Sequence, residues 1–141
     1  MESKIPNPIK DIVFLEYEIK NCDFEVHQNP AGGIGGYINT KVDHSFNYSS
    51  KKIMVLDIRS SMNAYTGKIA EMNIDEDPLI FSLNIGLQIR YLKENNKSTP
   101  SQIKRYEWHF KSHASILLNN ISRDILKDTR FRTLERTYNS F

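Results

Sequence analysis

The first long segment of the chain alternates between apolar and polar residues. One face of this segment carries Val13, Leu15, Tyr17 and Ile19, and the other carries Glu16, Glu18 and Lys20. This period of two predicts a strand with one half-buried face. After Asn21 the apolar side chains fall on even positions, from Cys22 to Val26. Such a shift would turn the apolar face over, so the pattern predicts a bulge or kink near Asn21.

Three further segments have the pattern of strands. The second alternates from Ile38 to Tyr48, and the third is a β-rich run from Ile53 to about Met62. The fourth alternates most regularly, from Leu79 to Tyr91, which is typical of an antiparallel strand with one covered face. Residues 28–36 hold four of the six glycines and predict a loop. Residues 64–77 fit a continued strand, a short helix or a loop.

The hydrophobic period changes after Pro100. Apolar residues recur at spacings of three and four from Ile103 to Ile125. This predicts a helix of roughly 25 residues, kinked near His109 to Ser112. Thr99 or Ser101 is the expected N-cap, since proline suits the first helical position.

The two ends of the chain carry weaker patterns. Pro6 and Pro8 oppose both helix formation and strand pairing, so residues 1–10 are predicted to form a flexible or extended arm. Residues 129–141 keep some amphipathic character, which leaves a short final helix or an irregular tail open.

Four strands followed by a long helix predict an α+β fold, in which a four-stranded antiparallel sheet packs with one long helix. The 141 residues fit a single domain. One helix cannot cover all the apolar strand positions, and uncovered apolar area usually marks an oligomer or client surface.

The lone Cys22 excludes an intramolecular disulfide. No apolar run approaches the roughly 20 residues of a membrane span. Without a signal peptide, the cytoplasm is the expected location.

None of the candidate catalytic or ligand-binding motifs has all the features that its chemistry requires. The glycine-rich loop is followed by Tyr37 and Ile38, whereas a phosphate-binding loop ends in Gly-Lys-Ser or Gly-Lys-Thr. His109 and His113 have the spacing of two metal ligands, but the Glu of the metalloprotease motif is missing. Cys22 lies in an alternating strand, where a buried small hydrophobic residue is the simpler interpretation. We therefore expect no enzyme activity, no cofactor and no metal.

Charge is distributed unevenly along the chain. Residues 1–100 carry eleven basic and thirteen acidic side chains, whereas residues 101–141 carry eight and four. Nucleic acid could meet the C-terminal basic cluster, but cations are also favoured near the C-terminus of a helix. The isoelectric point near 8.6 is low for a dedicated nucleic-acid binder. The cluster consists of Arg123, Lys127, Arg130, Arg132 and Arg136.

Two segments resemble parts of the SecB-like chaperone family. Residues 78–89 (PLIFSLNIGLQI) resemble the last strand of that family, and residues 113–131 (HASILLNNISRDILKDTRF) resemble its long helix. The kinked first strand and the loop at residues 28–36 match the family's first strand and crossover loop. The chain is thus similar to SecB-like proteins over about residues 12–131.

This resemblance implies an assembly and a binding site. It implies a homotetramer, a dimer of dimers with the long helices between two sheets. It also implies an ATP-independent holdase that binds non-native polypeptide in apolar grooves. The residues that match the grooves are Ile34, Tyr37, Ile38, Val42, Phe46, Tyr48, Phe131, Leu134, Tyr138 and Phe141. The helix residues implied at the oligomer interface are Tyr106, Phe110, Ala114, Leu117 and Ile121.

The net charge of this chain departs from the export chaperones of that family. Those proteins are strongly acidic and use acidic surface to engage the SecA motor, whereas this chain has a net charge of +2. The difference argues against SecA binding and favours a chaperone dedicated to one client, such as the antitoxin of a toxin–antitoxin module. The alternatives are a general protein-export chaperone, a subunit whose apolar face is a permanent oligomer interface, and a nucleic-acid-binding accessory protein.

Overall fold

The computed structural model describes residues 8–27, 36–93, 99–129, 131 and 135–136. These residues form three α-helices, five strands and one turn of 3-10 helix at Ile69–Glu71. In chain order the elements are α1 (Pro8–Asp11), β1 (Ile12–Val26), β2 (Gly36–Asn47), β3 (Ile53–Thr66), β4 (Leu79–Lys93), α2 (Pro100–Lys104), α3 (Glu107–Leu126) and β5 (Glu135–Arg136).

The strands form one sheet in the order β1-β4-β3-β2-β5. The first four are antiparallel to their neighbours, which confirms the predicted four-stranded antiparallel sheet. β5 adds a short parallel strand next to β2. β3 runs to Thr66 before the 3-10 turn, which settles the segment that the sequence left open. Gly36, predicted in a loop, is the first residue of β2; residues 28–35 lie outside the described residues.

The predicted bulge near Asn21 is confirmed by a register shift between Ile19 and Asn21. Asn21 lies opposite Gly86, and a Cβ at Gly86 would collide with the Asn21 amide. Gly86 therefore leaves the space that the Asn21 side chain occupies at the bulge. A second shift, between Phe14 and Glu16, was not predicted.

That second shift changes which residues share a face at the start of β1. Val13 pairs with Leu92, whereas Phe14 pairs with Tyr91. Tyr91 belongs to the buried cluster, so Phe14 rather than Val13 lies on the core side of the sheet. The prediction that Val13 and Tyr17 share one face is therefore wrong.

One face of the sheet is buried against α3. Leu56 lies opposite Ile89 and Ile58 opposite Leu87, and all four side chains are almost fully buried. α3 contributes Phe110, Ala114, Leu118, Ile121 and Leu126 to the same cluster. The other face is polar at the centre of the sheet, where Gln88 donates a hydrogen bond to Asp57 at 3.1 Å. This difference follows from the alternation of β3 and β4.

The predicted long helix is divided into α2 and α3. Thr99 is the N-cap, as predicted: its hydroxyl accepts from the Gln102 amide at 3.3 Å, and the Gln102 side chain accepts from the Thr99 amide at 2.8 Å. The predicted kink at residues 109–112 is wrong, because the break lies at residues 105–106. There the amides of Tyr106 and His109 bond to carbonyls three residues back, so the turns are tighter than in an α-helix.

Both ends of the chain differ from the prediction. Residues 8–10 belong to α1 instead of a flexible arm, because Pro8 occupies a first helical turn, where proline is tolerated. Residues 1–7 lie outside the described residues. Glu135 and Arg136 form β5 rather than a helix. Their amphipathic surroundings suggested a helix, but the edge of β2 offers main-chain groups with which a strand can pair.

Candidate functional site

Three of the residues predicted to bind a client lie close together along β2. Val42 and Phe46 are half-buried on β2, and Tyr48 follows directly after its last residue. The Phe46 ring stacks on Tyr48 with centroids 5.8 Å apart, and its edge meets Phe110 at 6.5 Å. We call Val42, Phe46 and Tyr48 the β2 row. It presents partly exposed aromatic surface at the edge of the core.

Two polar contacts hold the end of the β2 row in place. The Tyr48 hydroxyl donates to Glu107 Oε1 at 2.5 Å, which ties the row to the start of α3. Burial raises the pKa of Tyr48, and the bond to Glu107 raises it further, so the phenol stays a donor at neutral pH. Lys93 Nζ donates to the carbonyl oxygens of Tyr48 and Ser50, at 3.3 and 2.6 Å. These contacts fix the Tyr48 end of the row.

Three other predicted client-binding residues lie inside the chain. Tyr37 and Ile38 are 0% exposed. Tyr37 donates a hydrogen bond of 2.5 Å to Asp77 Oδ2, and its pKa is raised by burial and by this bond. Phe131 is buried, with ring centroids 4.8 Å from Phe81 and 6.2 Å from Phe24. The remaining members lie outside the described residues: Ile34, Leu134, Tyr138 and Phe141.

The residues predicted at the oligomer interface lie on the side of the helices that faces the chain's own sheet. Phe110, Ala114 and Ile121 belong to the buried cluster, and Tyr106 and Leu117 pack against it, half-buried. Periodicity identified the apolar stripe but could not say what covers it. In this structure the first three are covered within one chain.

A second apolar surface lies along β1. Its side chains share the core face of the sheet, since Phe14 pairs with Tyr91, Tyr17 with Ile89 and Ile19 with Leu87. They are nevertheless 39–48% exposed, because the residues buried with α3 come mostly from β3 and β4. We call this set the β1 stripe: Phe14, Tyr17, Ile19, Phe24 and Val26. The alternation of β1 pointed to four of these residues but not to Phe14, and it did not show that they are uncovered.

The β1 stripe continues onto α3 across an open cleft of about 470 Å³. Phe14 lies edge-on to the His113 ring at 5.0 Å, and Ile116 lines the same cleft. Ile116 and Trp108 are the large apolar side chains of α3 that are exposed. The uncovered part of β1 and the outer side of α3 thus form apolar surface of the kind that marks interaction sites.

His113 is a titratable side chain that lines this cleft. Its Nδ1 lies 2.9 Å from the Tyr91 hydroxyl. Burial lowers the pKa of His113, and the nearby His109 lowers it further. A lowered pKa means that the folded chain prefers the neutral ring. The stabilising contribution is therefore complete above the unfolded pKa of about 6.5 and is lost as the pH falls below it.

We therefore expect acidification from pH 7 to pH 5 to lower the urea midpoint of unfolding, and H113Q to reduce this acid sensitivity. The pKa of His44 is also lowered by burial, so H44Q is the matched control that measures the share of this second histidine. If H113Q kept the full acid sensitivity of the unmodified chain, the role assigned to His113 would be wrong.

Several candidate sites from the sequence have no counterpart in the described residues. No group of three or more His, Cys, Asp or Glu side chains there could hold a metal ion. Within those same ranges, no helix is both long and apolar enough to cross a membrane.

Cys22 is exposed, so the prediction that it is buried is wrong; the bulge brings it to the uncovered core face of β1. Of the basic cluster, Arg123 and Lys127 are exposed at the end of α3.

Comparisons with known proteins identify the fold of this chain. No protein-family model and no curated protein sequence matches the chain. A solved structure does match: a SecB-like chaperone from Mycobacterium tuberculosis in complex with a ChAD peptide from the HigA1 antitoxin. The TM-score is 0.66 at 9% sequence identity, and the match covers 94% of this chain and 91% of that one. The chain therefore has the SecB-like fold.

Proposed function

We propose that this chain is an ATP-independent chaperone that holds non-native polypeptide, and that it serves a dedicated client such as an antitoxin. The observation that carries the proposal is the fold. Over 94% of the chain, it matches the fold of a chaperone whose structure was solved with an antitoxin peptide. The net charge of +2 supports a dedicated client over a general export role, because the export chaperones that this chain resembles engage SecA through acidic surface.

The β2 row suits the binding of unfolded polypeptide. Its aromatic side chains can bury apolar side chains of a client without demanding a particular sequence. Because Tyr48 is tied to Glu107 and its turn to Lys93, little ordering is needed when a client binds. We propose that the row forms the client site together with the predicted groove residues that lie outside the described ranges, which are Ile34, Leu134, Tyr138 and Phe141.

The β1 stripe supports a proposed assembly of several copies. It is a row of exposed apolar side chains on an edge strand of 15 residues, next to the exposed Ile116 of α3. A second copy that covers this surface would bury it without any other partner. We propose that this stripe forms one of the interfaces of a homo-oligomer that is arranged as a dimer of dimers.

The proposed holdase function predicts that the purified protein suppresses aggregation of thermally unfolded citrate synthase without ATP. We expect near-complete suppression at equimolar chains, measured by light scattering. F46S should weaken suppression severalfold, because it removes the ring that stacks on Tyr48. S45A changes the neighbouring exposed residue of β2 and should leave suppression intact. Absence of both suppression and a stable complex with the client would contradict the proposal.

A further inference from the structure

One end of the sheet collects basic side chains that are far apart in the sequence. β1 begins and β4 ends there, and the turn between β2 and β3 lies at the same end. α1 leads into β1, and α2 connects this region to the start of α3. Exposed basic side chains of α1, of the β2–β3 turn and of the α2 region therefore come together. We call them the basic end: Lys10, Lys51, Lys52, Lys104 and Arg105.

Pairing between the strands holds these segments side by side. The Lys93 amide donates to the Lys52 carbonyl at 2.7 Å, and Lys93 Nζ donates to the Ser50 carbonyl at 2.6 Å. Ile12, at the start of β1, is opposite Lys93. β1 and β3 lie on either side of β4, so they are about 10 Å apart. This separation is close to the screening length of about 8–10 Å in physiological salt, so the potentials of these charges add.

The charges of the basic end are not neutralised by the residues that the structure describes. The ion pairs in those ranges join Lys20 and Arg90 to glutamates of β1, and none includes a member of the basic end. The acidic residues nearby are Asp11, which is half-buried, and Glu107, which accepts the hydrogen bond of Tyr48. The basic end is therefore a surface of net positive charge.

The strand ends and connections at the opposite end of the sheet are acidic. Glu25 near the end of β1 is exposed, as are Glu71, Asp75 and Glu76 between β3 and β4. Lys68 is the basic residue of that connection. The net charge of +2 thus hides a separation of charge along the strands.

The basic end is continuous with the β2 row. Tyr48 is the last member of the row, and the turn that carries Lys51 and Lys52 follows directly. Lys93 Nζ also donates to the Tyr48 carbonyl at 3.3 Å, so the same side chain holds the end of the row and the turn. A partner lying on the row therefore reaches the basic end without crossing other surface.

This inference rests on the proposed function, because it concerns the client of the same site. We propose that the client carries acidic residues next to its apolar segment, and that the basic end binds these acidic residues while the β2 row binds the apolar segment. Complementary charge selects partners and suppresses wrong ones. The basic end would thus supply the selectivity that an apolar row lacks.

Two further observations define this client. The acidic connections near Glu71 would repel its acidic part, so that part lies at the Tyr48 end and the apolar part extends toward Val42. Phe46 and Tyr48 stack on each other with their rings 6° from parallel. This stacking occupies ring faces that the bases of a nucleic acid would need, which favours a polypeptide.

The test measures the affinity of the full chain for three labelled peptides by fluorescence anisotropy at low salt. The peptides share one apolar segment of leucine, phenylalanine and valine, and their flank is a run of glutamates, of glutamines or of lysines. We expect the glutamate peptide to bind about tenfold more tightly than the glutamine peptide, because several exposed ion pairs of modest strength add together. The lysine peptide should bind most weakly, and the differences should shrink as salt is raised.

Three double variants with the same change in net charge locate the effect. K51Q/K52Q removes two charges from the turn and should reduce the preference for glutamate to about threefold. K10Q/K104Q removes two charges from α1 and α2 and should act in the same direction, so the result does not depend on the turn alone. R123Q/K127Q is the control and should keep the preference, because these exposed residues lie at the other end of α3.

Equal affinity for the glutamate and glutamine peptides would overturn the inference and leave the proposed function standing. An equal loss of preference in R123Q/K127Q would also overturn it, because the preference would then follow net charge alone. If single-stranded oligothymidylate displaced the glutamate peptide with equal affinity, the basic end would be a nucleic-acid site and the inference would be wrong. If none of the three peptides binds, the proposed function fails, and the inference fails with it.

Discussion

Replacing Phe110 with alanine is expected to lower the free energy of unfolding by about 3–5 kcal/mol. Phe110 is 1% exposed and lies edge-on to Tyr91 at 5.1 Å and to Phe46 at 6.5 Å. The substitution removes a ring at the point where α3 joins the sheet. Its neighbours are held in two elements, so they cannot close the cavity without moving α3.

Urea unfolding followed by circular dichroism measures this effect, and Trp108→Ala is the matched control. Trp108 lies on the same helix and is also aromatic, but it is 59% exposed. Its loss should change stability by less than about 1 kcal/mol. If F110A keeps its stability but changes the mass in solution, Phe110 has the interface role that the family resemblance implied.

The double substitution Y17D/I19D is expected to break the assembly and leave the fold of each chain intact. Tyr17 and Ile19 belong to the β1 stripe and are 46% and 43% exposed. Two carboxylates placed in an apolar interface lose hydration without gaining partners. We expect the association constant to fall by at least about a hundredfold, which corresponds to about 2.7 kcal/mol.

Light scattering coupled to size-exclusion chromatography measures the mass of each variant. D23S is the control, because Asp23 lies on the same strand but is opposite Asn84, on the polar face of the sheet. It should keep the mass of the unmodified protein. If Y17D/I19D also keeps that mass and its circular dichroism spectrum, the β1 stripe is not the interface.

The strands and the fold class could be predicted because their signals are local. Alternation from Leu79 to Tyr91 predicts β4 almost to the residue, and the parity change at Asn21 predicts its bulge. Thr99 could be identified as a cap because capping depends on residues within one turn. The second bulge, between Phe14 and Glu16, could not be predicted. It lies near the end of the strand, so too few residues precede it to show a change of parity.

The candidate site could be predicted only in part. Val42, Phe46 and Tyr48 lie together as expected, since they follow one another on a single strand. Tyr37 and Phe131 lie inside the chain, because residues distant in sequence cover them: Asp77 and Tyr65 for Tyr37, Phe24 and Phe81 for Phe131.

The amino-acid sequence by itself determined the four antiparallel strands, the helical segment and the amphipathic face of each, because backbone periodicity decides these within a few residues. The tertiary structure alone decided which apolar faces are covered. α3 buries β3 and β4 but leaves the β1 stripe exposed, and β5 pairs with β2 from the other end of the chain. Coverage depends on contacts between residues far apart in sequence, and a local period carries no information about them.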